Sequence, residues 1–292
     1  MTSSPFPRAA AALALAVSCS AIGSGSAPQA PTYLGPKPPT LVRRVVTLAP
    51  ALTETVVALG GADRLVGVSR FDELPEVAQL PRVGGFIDPS VESVLALKPD
   101  LVLVQPSPAN QQPVEKMAEL GSPVLVVAMQ SVAEILSGIL AIGAALDLRE
   151  RARSITTSIE QTRASIRAKA SQQTPVRTLF IYGFDPLVVA GPGSFADELL
   201  KDAGAVNAAE NASSPYQTYS VESAIRSRAE VVIFAAHDAT SHERLSRLPG
   251  LKQARWVRLE SKDLLHPGPG LAHGLEELFR LLHGGASRAG VQ

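Results

Sequence analysis

The sequence predicts an α/β fold in which two Rossmann-like lobes are joined by one long rigid helix. Short valine-rich apolar runs alternate with helical patterns, which is typical of parallel sheets covered by helices. The segment Ser-Val-Glu-Ser occurs twice, at 90–93 and 220–223, and each copy opens a predicted helix that leads into an apolar strand. This wide separation indicates two lobes of like construction rather than a short repeat. Between the copies, 147–172 contains neither glycine nor proline.

The strands and helices fall into two similar halves. The predicted strands are 45–49, 65–68, 101–104 and 124–128 in the first half, and 178–182, 187–190, 231–235 and 256–259 in the second. The predicted helices are 53–59, 91–97, 111–120, 132–146, 196–203, 221–227 and 271–282. The first helix of each half stops on a glycine, Gly60 or Gly204, as expected just past a helix C-terminus. We expect the turn after 45–49 to correspond to the turn after 187–190.

The segment 147–172 is predicted to be one helix that crosses between the lobes. Ile155, Ile159 and Ile166 lie near helical spacing, with charged residues elsewhere. At 1.5 Å per residue such a helix spans on the order of 38 Å, the width of a domain. A flexible hinge would contain Gly or Ser, so we expect only small lobe closure.

These elements set the expected boundaries of the chain. The lobes are predicted at 42–146 and 173–285, followed by a tail at 286–292. The segment 20–41, rich in Ser, Gly, Ala and Pro, has too little apolar surface to fold and is predicted to be a disordered tether.

The first 19 residues are predicted to be a signal peptide. Arg8 precedes nine apolar residues at 9–17, too few to span a bilayer but suited to an export signal. Cys19, the only cysteine, follows at once and resembles the lipobox cysteine that is acylated in bacterial lipoproteins. We therefore expect a periplasmic, membrane-anchored lipoprotein attached through its lipid alone. The alternative is a soluble secreted protein, cleaved near Ala21 or Ala27.

Composition and motifs exclude several classes of function. A formal net charge of zero and the absence of a Lys/Arg run argue against nucleic-acid binding. Gly-Pro-Gly-Ser-Phe at 191–195 lacks the spacing of a nucleophile elbow, and no phosphate-binding Gly-rich loop occurs, so no enzyme and no enzyme cofactor are predicted. The histidines are scattered without metal-ligand spacing, so no metal site is expected.

Each Ser-Val-Glu-Ser copy places a glutamate in the first turn of its helix. Glu92 and Glu222 follow the predicted N-caps Ser90 and Ser220, where negative charge is favoured. Capping explains a serine and a glutamate but not their repetition in both halves. An aromatic residue, Phe86 or Tyr216, stands six residues before each glutamate.

Several segments together resemble a known family. They are Val-Val-Thr-Leu-Ala-Pro at 45–50, Val-Gly-Val at 66–68, Pro-Arg-Val-Gly-Gly-Phe at 81–86 and Leu-Lys-Pro-Asp-Leu at 97–101. The chain from 42 to 283 resembles the substrate-binding proteins of bacterial ABC importers, in the class with two α/β lobes joined by one helix. That class carries cobalamin, haem and ferric siderophores, and the first lobe is most similar to the cobalamin-binding members.

This resemblance implies a partner and a ligand. Glu92 and Glu222 would dock into arginine pockets on the two subunits of a permease dimer that works with ATPase subunits, and the chain itself would be a monomer. A pseudo-symmetric protein that meets a symmetric dimer needs one matching charge per lobe. The leading ligand is cobalamin; the alternatives are haem and a ferric siderophore.

The ligand is expected between the lobes, at the C-terminal ends of the strands. This position selects candidate ligand-binding residues from both lobes: Ala49, Pro50, Phe71, Asp72, Phe86, Gln105, Pro106, Phe184, Tyr216, Tyr219, His237, Asp263 and His266. Aromatic residues on loops suit a flat corrin or porphyrin. For Asp263 and His266 the alternative is an Asp-capped turn with an exposed histidine.

The candidate residues fit the three ligands to different degrees. Cobalamin-binding relatives carry tryptophans where this chain has Phe86 and Tyr216, which weakens the match. Haem-binding relatives use a tyrosine near Phe86, although a Tyr or His of the second lobe offers another axial ligand. A ferric siderophore calls for an arginine cluster, and only Arg70 and Arg82 are near at hand.

Overall fold

The computed structural model describes residues 28–234, 239–259 and 261–284, and the first lobe is built on a five-stranded sheet. Its strands are β1 Thr32–Leu34, β2 Val45–Thr47, β3 Leu65–Gly67, β4 Leu101–Val104 and β5 Val124–Val126. Their order is β1-β5-β4-β2-β3, and all pairs are parallel except that of β1 with β5. The helices of this lobe are α1 Pro50–Leu59, α2 Val91–Ala96, α3 Gln111–Glu119 and α4 Val132–Ala145.

After α5, Arg149–Ala170, the chain forms the six-stranded sheet of the second lobe. Its strands are β6 Val176–Phe184, β7 Leu187–Ala190, β8 Ala205–Asn207, β9 Tyr216–Thr218, β10 Val231–Phe234 and β11 Arg255–Arg258. The order is β11-β10-β6-β7-β9, and β8 also pairs with β6. The helices are α6 Phe195–Asp202, α7 Val221–Arg226, α8 Ala239–Ser246 and α9 Leu271–His283.

The two sheets share a parallel core of four strands. The order β5-β4-β2-β3 of the first lobe corresponds to β11-β10-β6-β8 in the second. The strand equivalent to β2 is therefore β6, and the expected match with 187–190 is wrong. β7 is the antiparallel hairpin partner of β6 and has no counterpart in the first lobe.

One segment of the predicted tether is folded. Thr32 pairs with Val126 and Leu34 with Val124, so β1 covers the edge of β5. The backbone N–H of Gln29 also donates to Glu134 Oε1 at 2.8 Å. Composition misled the prediction because strand pairing at a free edge uses backbone groups, which a polar segment supplies as well as an apolar one.

Other parts of the N-terminal and C-terminal predictions lie outside the described residues. They include Cys19, the signal peptide and the tail at 286–292. None of the helices in the described ranges is long and apolar enough to cross a membrane.

One apolar cluster runs through both lobes and α5, and each lobe also has a smaller cluster of its own. Ile159 and Ile166 of α5 are buried in the shared cluster, together with Ile139 of α4 and Leu275 of α9. Burying each such side chain contributes about 1.5–3 kcal/mol. The predicted crossing helix is thus observed as α5, and it packs on both lobes.

Polar contacts reinforce the junction of the lobes. Glu198 of α6 accepts a hydrogen bond from the backbone N–H of Val132, the first residue of α4, at 3.0 Å. It also pairs with Arg163 of α5 at 3.4 Å. The same arginine contacts Asp202 at 2.5 Å, so three helices from the two lobes and the connector meet at one charged cluster.

We expect the Glu198→Ala substitution to lower the free energy of unfolding by about 2 kcal/mol, because it leaves the Val132 N–H and part of the Arg163 guanidinium unsatisfied. Urea unfolding of the purified protein measures this change. Glu119→Ala, which removes an exposed partner of Lys116, is the control and should cost less than about 0.5 kcal/mol. Equal losses in the two variants would contradict the role of this junction.

Candidate functional site

A cleft of about 380 Å³ opens between the lobes, where the chain leaves the C-terminal ends of β4 and β5. Its described lining comes from both lobes: Phe86, Gln105, Pro106, Ser107, Pro108, Ala128, Met129, Gln130, Tyr216 and Pro267. The carboxyl ends of parallel strands and the loops that follow them form such ligand sites in open α/β sheets. The walls are mostly apolar, and they include two aromatic rings, Phe86 and Tyr216, and two amides, Gln105 and Gln130.

The cleft is electrically neutral within the part of the chain that the structure describes. None of its lining residues there is Lys, Arg, Asp or Glu. Gln105, Gln130 and Ser107 supply hydrogen-bonding groups without charge. The arrangement suits a ligand, or part of one, that has neutral hydrogen-bonding edges and an apolar face.

Asn110 fixes the first-lobe wall. Its buried amide nitrogen donates to the carbonyl of Phe86 at 2.8 Å and to that of Gln105 at 2.9 Å. Its Oδ1 accepts from the backbone N–H of Ser107 at 3.0 Å. One side chain thereby ties together the loops that carry Phe86 and Gln105, which keeps both groups in place without a ligand.

Tyr216 forms the opposing aromatic wall. It lies on the edge strand β9, and its ring centroid is 5.4 Å from that of Tyr182. Although 43% of the residue is exposed, its surroundings are crowded enough that burial raises the pKa of Tyr216 to about 12. At neutral pH the residue is therefore a protonated phenol that can donate a hydrogen bond.

The structure brings only part of the predicted site to this cleft. Phe86, Gln105, Pro106 and Tyr216 line it, as the sequence suggested. The prediction missed the other six lining residues, although their positions just after strands, or in the turn before α9, could have identified them: Ser107, Pro108, Ala128, Met129, Gln130 and Pro267.

Two predicted aromatic residues of the second lobe do not line the cleft. Phe184 ends β6 and is buried in the second-lobe core, 5.8 Å from the ring of Phe234, so the expectation that it faces the ligand is wrong. Its strand extends further than the pattern indicated, which turned an apparent loop residue into a core residue. Tyr219 packs against the same core beside Arg177 and Arg226. His237 lies outside the described residues.

The first-lobe candidates Pro50, Phe71 and Asp72 do not line the cleft. Pro50 begins α1, where a proline is well tolerated. Phe71 is 56% exposed, with the Arg70 guanidinium 5.6 Å from its ring centroid. Asp72 is buried and accepts a hydrogen bond from Ser69 Oγ at 2.6 Å; burial raises the pKa of its carboxyl group, and that hydrogen bond opposes the shift.

Asp263 and His266 make contacts within the protein. His266 Nδ1 lies 2.6 Å from Glu54 Oε1 of α1, so this histidine bridges the two lobes. Its neighbour Lys262 pairs with Glu73 of the first lobe. Asp263 contacts the Ser261 hydroxyl at 2.8 Å and His273 Nδ1 at 2.6 Å, but the turn is capped by Ser261, whose Oγ accepts from Asp263 N at 3.0 Å, and not by the aspartate.

The described residues contain no group of three or more His, Cys, Asp or Glu side chains that could hold a metal ion.

The two Ser-Val-Glu-Ser segments adopt matching conformations. Ser90 Oγ accepts from Ser93 N at 3.2 Å and Ser220 Oγ from Ser223 N at 3.1 Å, so both serines are N-caps. Glu92 and Glu222 are exposed in the first turns of α2 and α7. The pKa of Glu222 is lowered by its own backbone N–H and then by the Ser220 hydroxyl.

Comparison with known proteins places the chain among binding proteins. Residues 45–258 match the family described as periplasmic binding protein. A vitamin B12-binding protein of Vibrio vulnificus is 26% identical over 246 residues, which cover 81% of this chain and 89% of the relative.

Two solved structures show the same fold. The periplasmic heme-binding protein of Roseiflexus sp. RS-1 has a TM-score of 0.74 and 26% identity, covering 83% of this chain and 98% of that one. A periplasmic heme-binding protein of Pseudomonas aeruginosa has a TM-score of 0.73 and 28% identity, covering 85% and 95%. These relatives are substrate-binding proteins, so the chain is not an enzyme. It belongs to the periplasmic binding protein family.

Proposed function

We propose that this chain captures a corrinoid, cobalamin, in the cleft between its lobes and delivers it to an ABC permease. The observation that carries the proposal is the chemistry of the described lining, in which Phe86 and Tyr216 face the cleft among uncharged amide and hydroxyl groups. A corrin ring is flat, and its rim carries neutral amides that pair with groups such as those of Gln105 and Gln130.

The same lining argues against the alternatives, haem and a ferric siderophore. Haem carries two carboxylates and most ferric siderophores are anions, and both favour Arg or Lys in their sites. Within the described ranges Arg70, beside the cleft rim, is paired with Asp88. The heme-binding relatives nevertheless make haem the second candidate.

A corrinoid is larger than this cleft alone. Beyond Pro106, Ser107 and Pro108 the cleft continues into a groove of about 360 Å³. Gln29, Leu34 and Gln111 are among its lining residues, and so is one charged residue, Glu115, whose carboxylate accepts a hydrogen bond from Gln111 at 2.8 Å. The bound ligand would extend into this groove, so that the segment before β1 contributes to the site.

Delivery requires docking to the permease. We propose that Glu92 and Glu222 make this contact, one on each lobe, through arginine side chains of the two permease subunits. Their support is the shared geometry of two capped first turns with exposed carboxylates. N-capping alone does not explain why both lobes carry an exposed glutamate in such a turn.

We further propose export to the periplasm with acylation at Cys19, and function as a monomer. The family match supports a periplasmic location. Mass spectrometry of the membrane fraction, with Cys19→Ser as the comparison, tests the acylation.

We expect Phe86→Ala and Tyr216→Ala each to weaken cyanocobalamin binding about tenfold, because each removes one aromatic wall. Isothermal titration of the purified protein with cyanocobalamin, cobinamide, haemin and a ferric siderophore measures the affinities. Tyr33→Ala, which removes an exposed tyrosine of β1, is the matched control. Binding of haemin but of neither corrinoid would reject cobalamin as the ligand.

We expect the double substitution Glu92→Arg and Glu222→Arg to abolish uptake while the affinity for cyanocobalamin stays unchanged, because the reversed charges repel the arginine pockets. Uptake of labelled cyanocobalamin into proteoliposomes containing the permease and its ATPase measures this effect. Glu119→Arg, also on an exposed helix surface, is the control. Wild-type uptake in the double variant would exclude the docking role.

The lowered pKa of Glu222 predicts that its carboxyl group remains ionised, and so able to dock, down to a lower pH than an ordinary glutamate. Above the ordinary glutamate pKa of 4.5 the ionised form of Glu222 stabilises the folded state. This contribution to stability is lost as the pH falls through the lowered pKa. An NMR titration of the Glu222 carboxyl carbon should give a pKa below 4.5, and Ser220→Ala should raise it. Ser90→Ala, at the equivalent cap of the other lobe, should leave it unchanged.

A further inference from the structure

The helices that carry Glu92 and Glu222 are weakly anchored by packing. α2 and α7 have six residues each, and each buries a single residue, Val94 or Ala224. Helices of this length are unstable on their own and depend on tertiary contacts. A carboxylate on such a helix is well placed only if something else holds the helix.

Both helices end in the same unusual way. Lys98 and Arg228 follow α2 and α7 with φ values of 46° and 50°, in the left-handed region that favours glycine. Each stands six residues after the glutamate of its helix. The carbonyls of the last helical turn lack partners within the helix, so they need donors from elsewhere.

An arginine at the start of a central strand, just before β2 or within the first residues of β6, supplies these donors in each lobe. Arg44 Nη2 and Nε donate to the carbonyl of Leu97 at 2.7 and 3.1 Å, and Nε also contacts that of Lys98 at 3.2 Å. Arg177 Nε donates to the carbonyl of Ser227 at 2.6 Å. Positive charge at a helix C-terminus is favoured by the helix dipole.

The two arginines occupy equivalent places in the fold. Leu97 and Ser227 each stand five residues after their glutamate. Arg44 precedes Val45, which pairs with Leu101 at the start of β4, and Arg177 precedes Thr178, which pairs with Val231 at the start of β10.

Backbone contacts follow the same symmetry. The carbonyl of Arg44 accepts from Asp100 N at 2.8 Å, and that of Arg177 from Glu230 N at 2.8 Å. In the second lobe the arginine is further held by Glu210, whose Oε1 lies 2.9 Å from Arg177 Nη2.

We propose that Arg44 and Arg177 are paired positioning residues, which fix the C-terminal ends of α2 and α7 to the sheets and so aim Glu92 and Glu222 at the permease. The inference rests on the docking function proposed above. A guanidinium donates in fixed directions from one rigid plane, so each arginine sets the orientation of its helix as well as its distance from the sheet. The two carboxylates then hold a constant separation on the protein surface.

The test is a double-mutant cycle within each lobe, measured as binding of the full chain to the cognate permease–ATPase complex in nanodiscs. We expect Arg44→Ala and Arg177→Ala each to weaken this binding about tenfold, equivalent to about 1.4 kcal/mol. On a Glu92→Gln background Arg44→Ala should weaken permease binding little further, because the carboxylate that Arg44 positions has already been replaced by an amide. Arg44→Lys, which retains the charge but not the planar fork, should recover only part of the binding.

Matched measurements separate positioning from general damage to the fold. Binding of cyanocobalamin and haemin by the isolated variants should equal that of the wild type. Arg43→Ala is the control, because this exposed neighbour contributes its backbone N–H to Asp100 and that bond survives the substitution.

The possible outcomes are distinct. Wild-type permease binding by the arginine variants, alongside a loss in Glu92→Gln and Glu222→Gln, overturns this inference alone. A loss from Arg44→Ala that adds fully to that from Glu92→Gln also overturns it, since the arginine then acts independently of the carboxylate. Normal binding by the two glutamate variants overturns the docking proposal and this inference together.

Discussion

The position of the two lobes depends on the contact that Glu198 makes across their junction. Its carboxylate lies against the N-terminus of α4 in the first lobe while it pairs with Arg163 of the connecting helix. Both partners favour negative charge, one through the helix dipole and the other through direct attraction. Because this cluster lies beside a core that runs through both lobes, the cleft walls on either side are held at a defined distance.

In the described part of the molecule, the charged side chains lie apart from the uncharged lining of the cleft. Charges around the cleft are paired with one another, as in Arg70 with Asp88 and Lys262 with Glu73, while the lining of the cleft between the lobes is uncharged. The exposed carboxylates of Glu92 and Glu222 lie on separate helices. Changes in ligand specificity can therefore arise in the lining loops without altering the surface that meets the permease.

Local sequence patterns predicted the fold well where an element depends mainly on the residues within its own segment. The apolar run 101–104 became β4 with the expected bounds, and the Gly- and Pro-free stretch became α5. Predictions were wrong where distant pairing decided the outcome. β1 forms because β5 has a free edge, and β7 turns back on β6 as a hairpin, neither of which composition reveals.

For the site, too, local patterns identified some residues, while others depended on distant strand pairing. Phe86 and Tyr216 could be identified because they repeat at a fixed spacing before the two glutamates. Phe184 was misplaced because the length of β6 depends on its partners. Arg44 and Arg177 carried no sequence signal, since their separations from the glutamates differ and only the sheet register makes them equivalent.

The pairing of β1 with β5 gives the first lobe a mechanical property. Because β1 runs antiparallel to β5, its Thr32 end lies at the edge of the sheet where the cleft opens. A force applied along β1, through the residues before it, would load the β1–β5 hydrogen bonds in shear. The Gln29–Glu134 contact would bear that load first, so tension on the N-terminus would reach the rim of the cleft before the core.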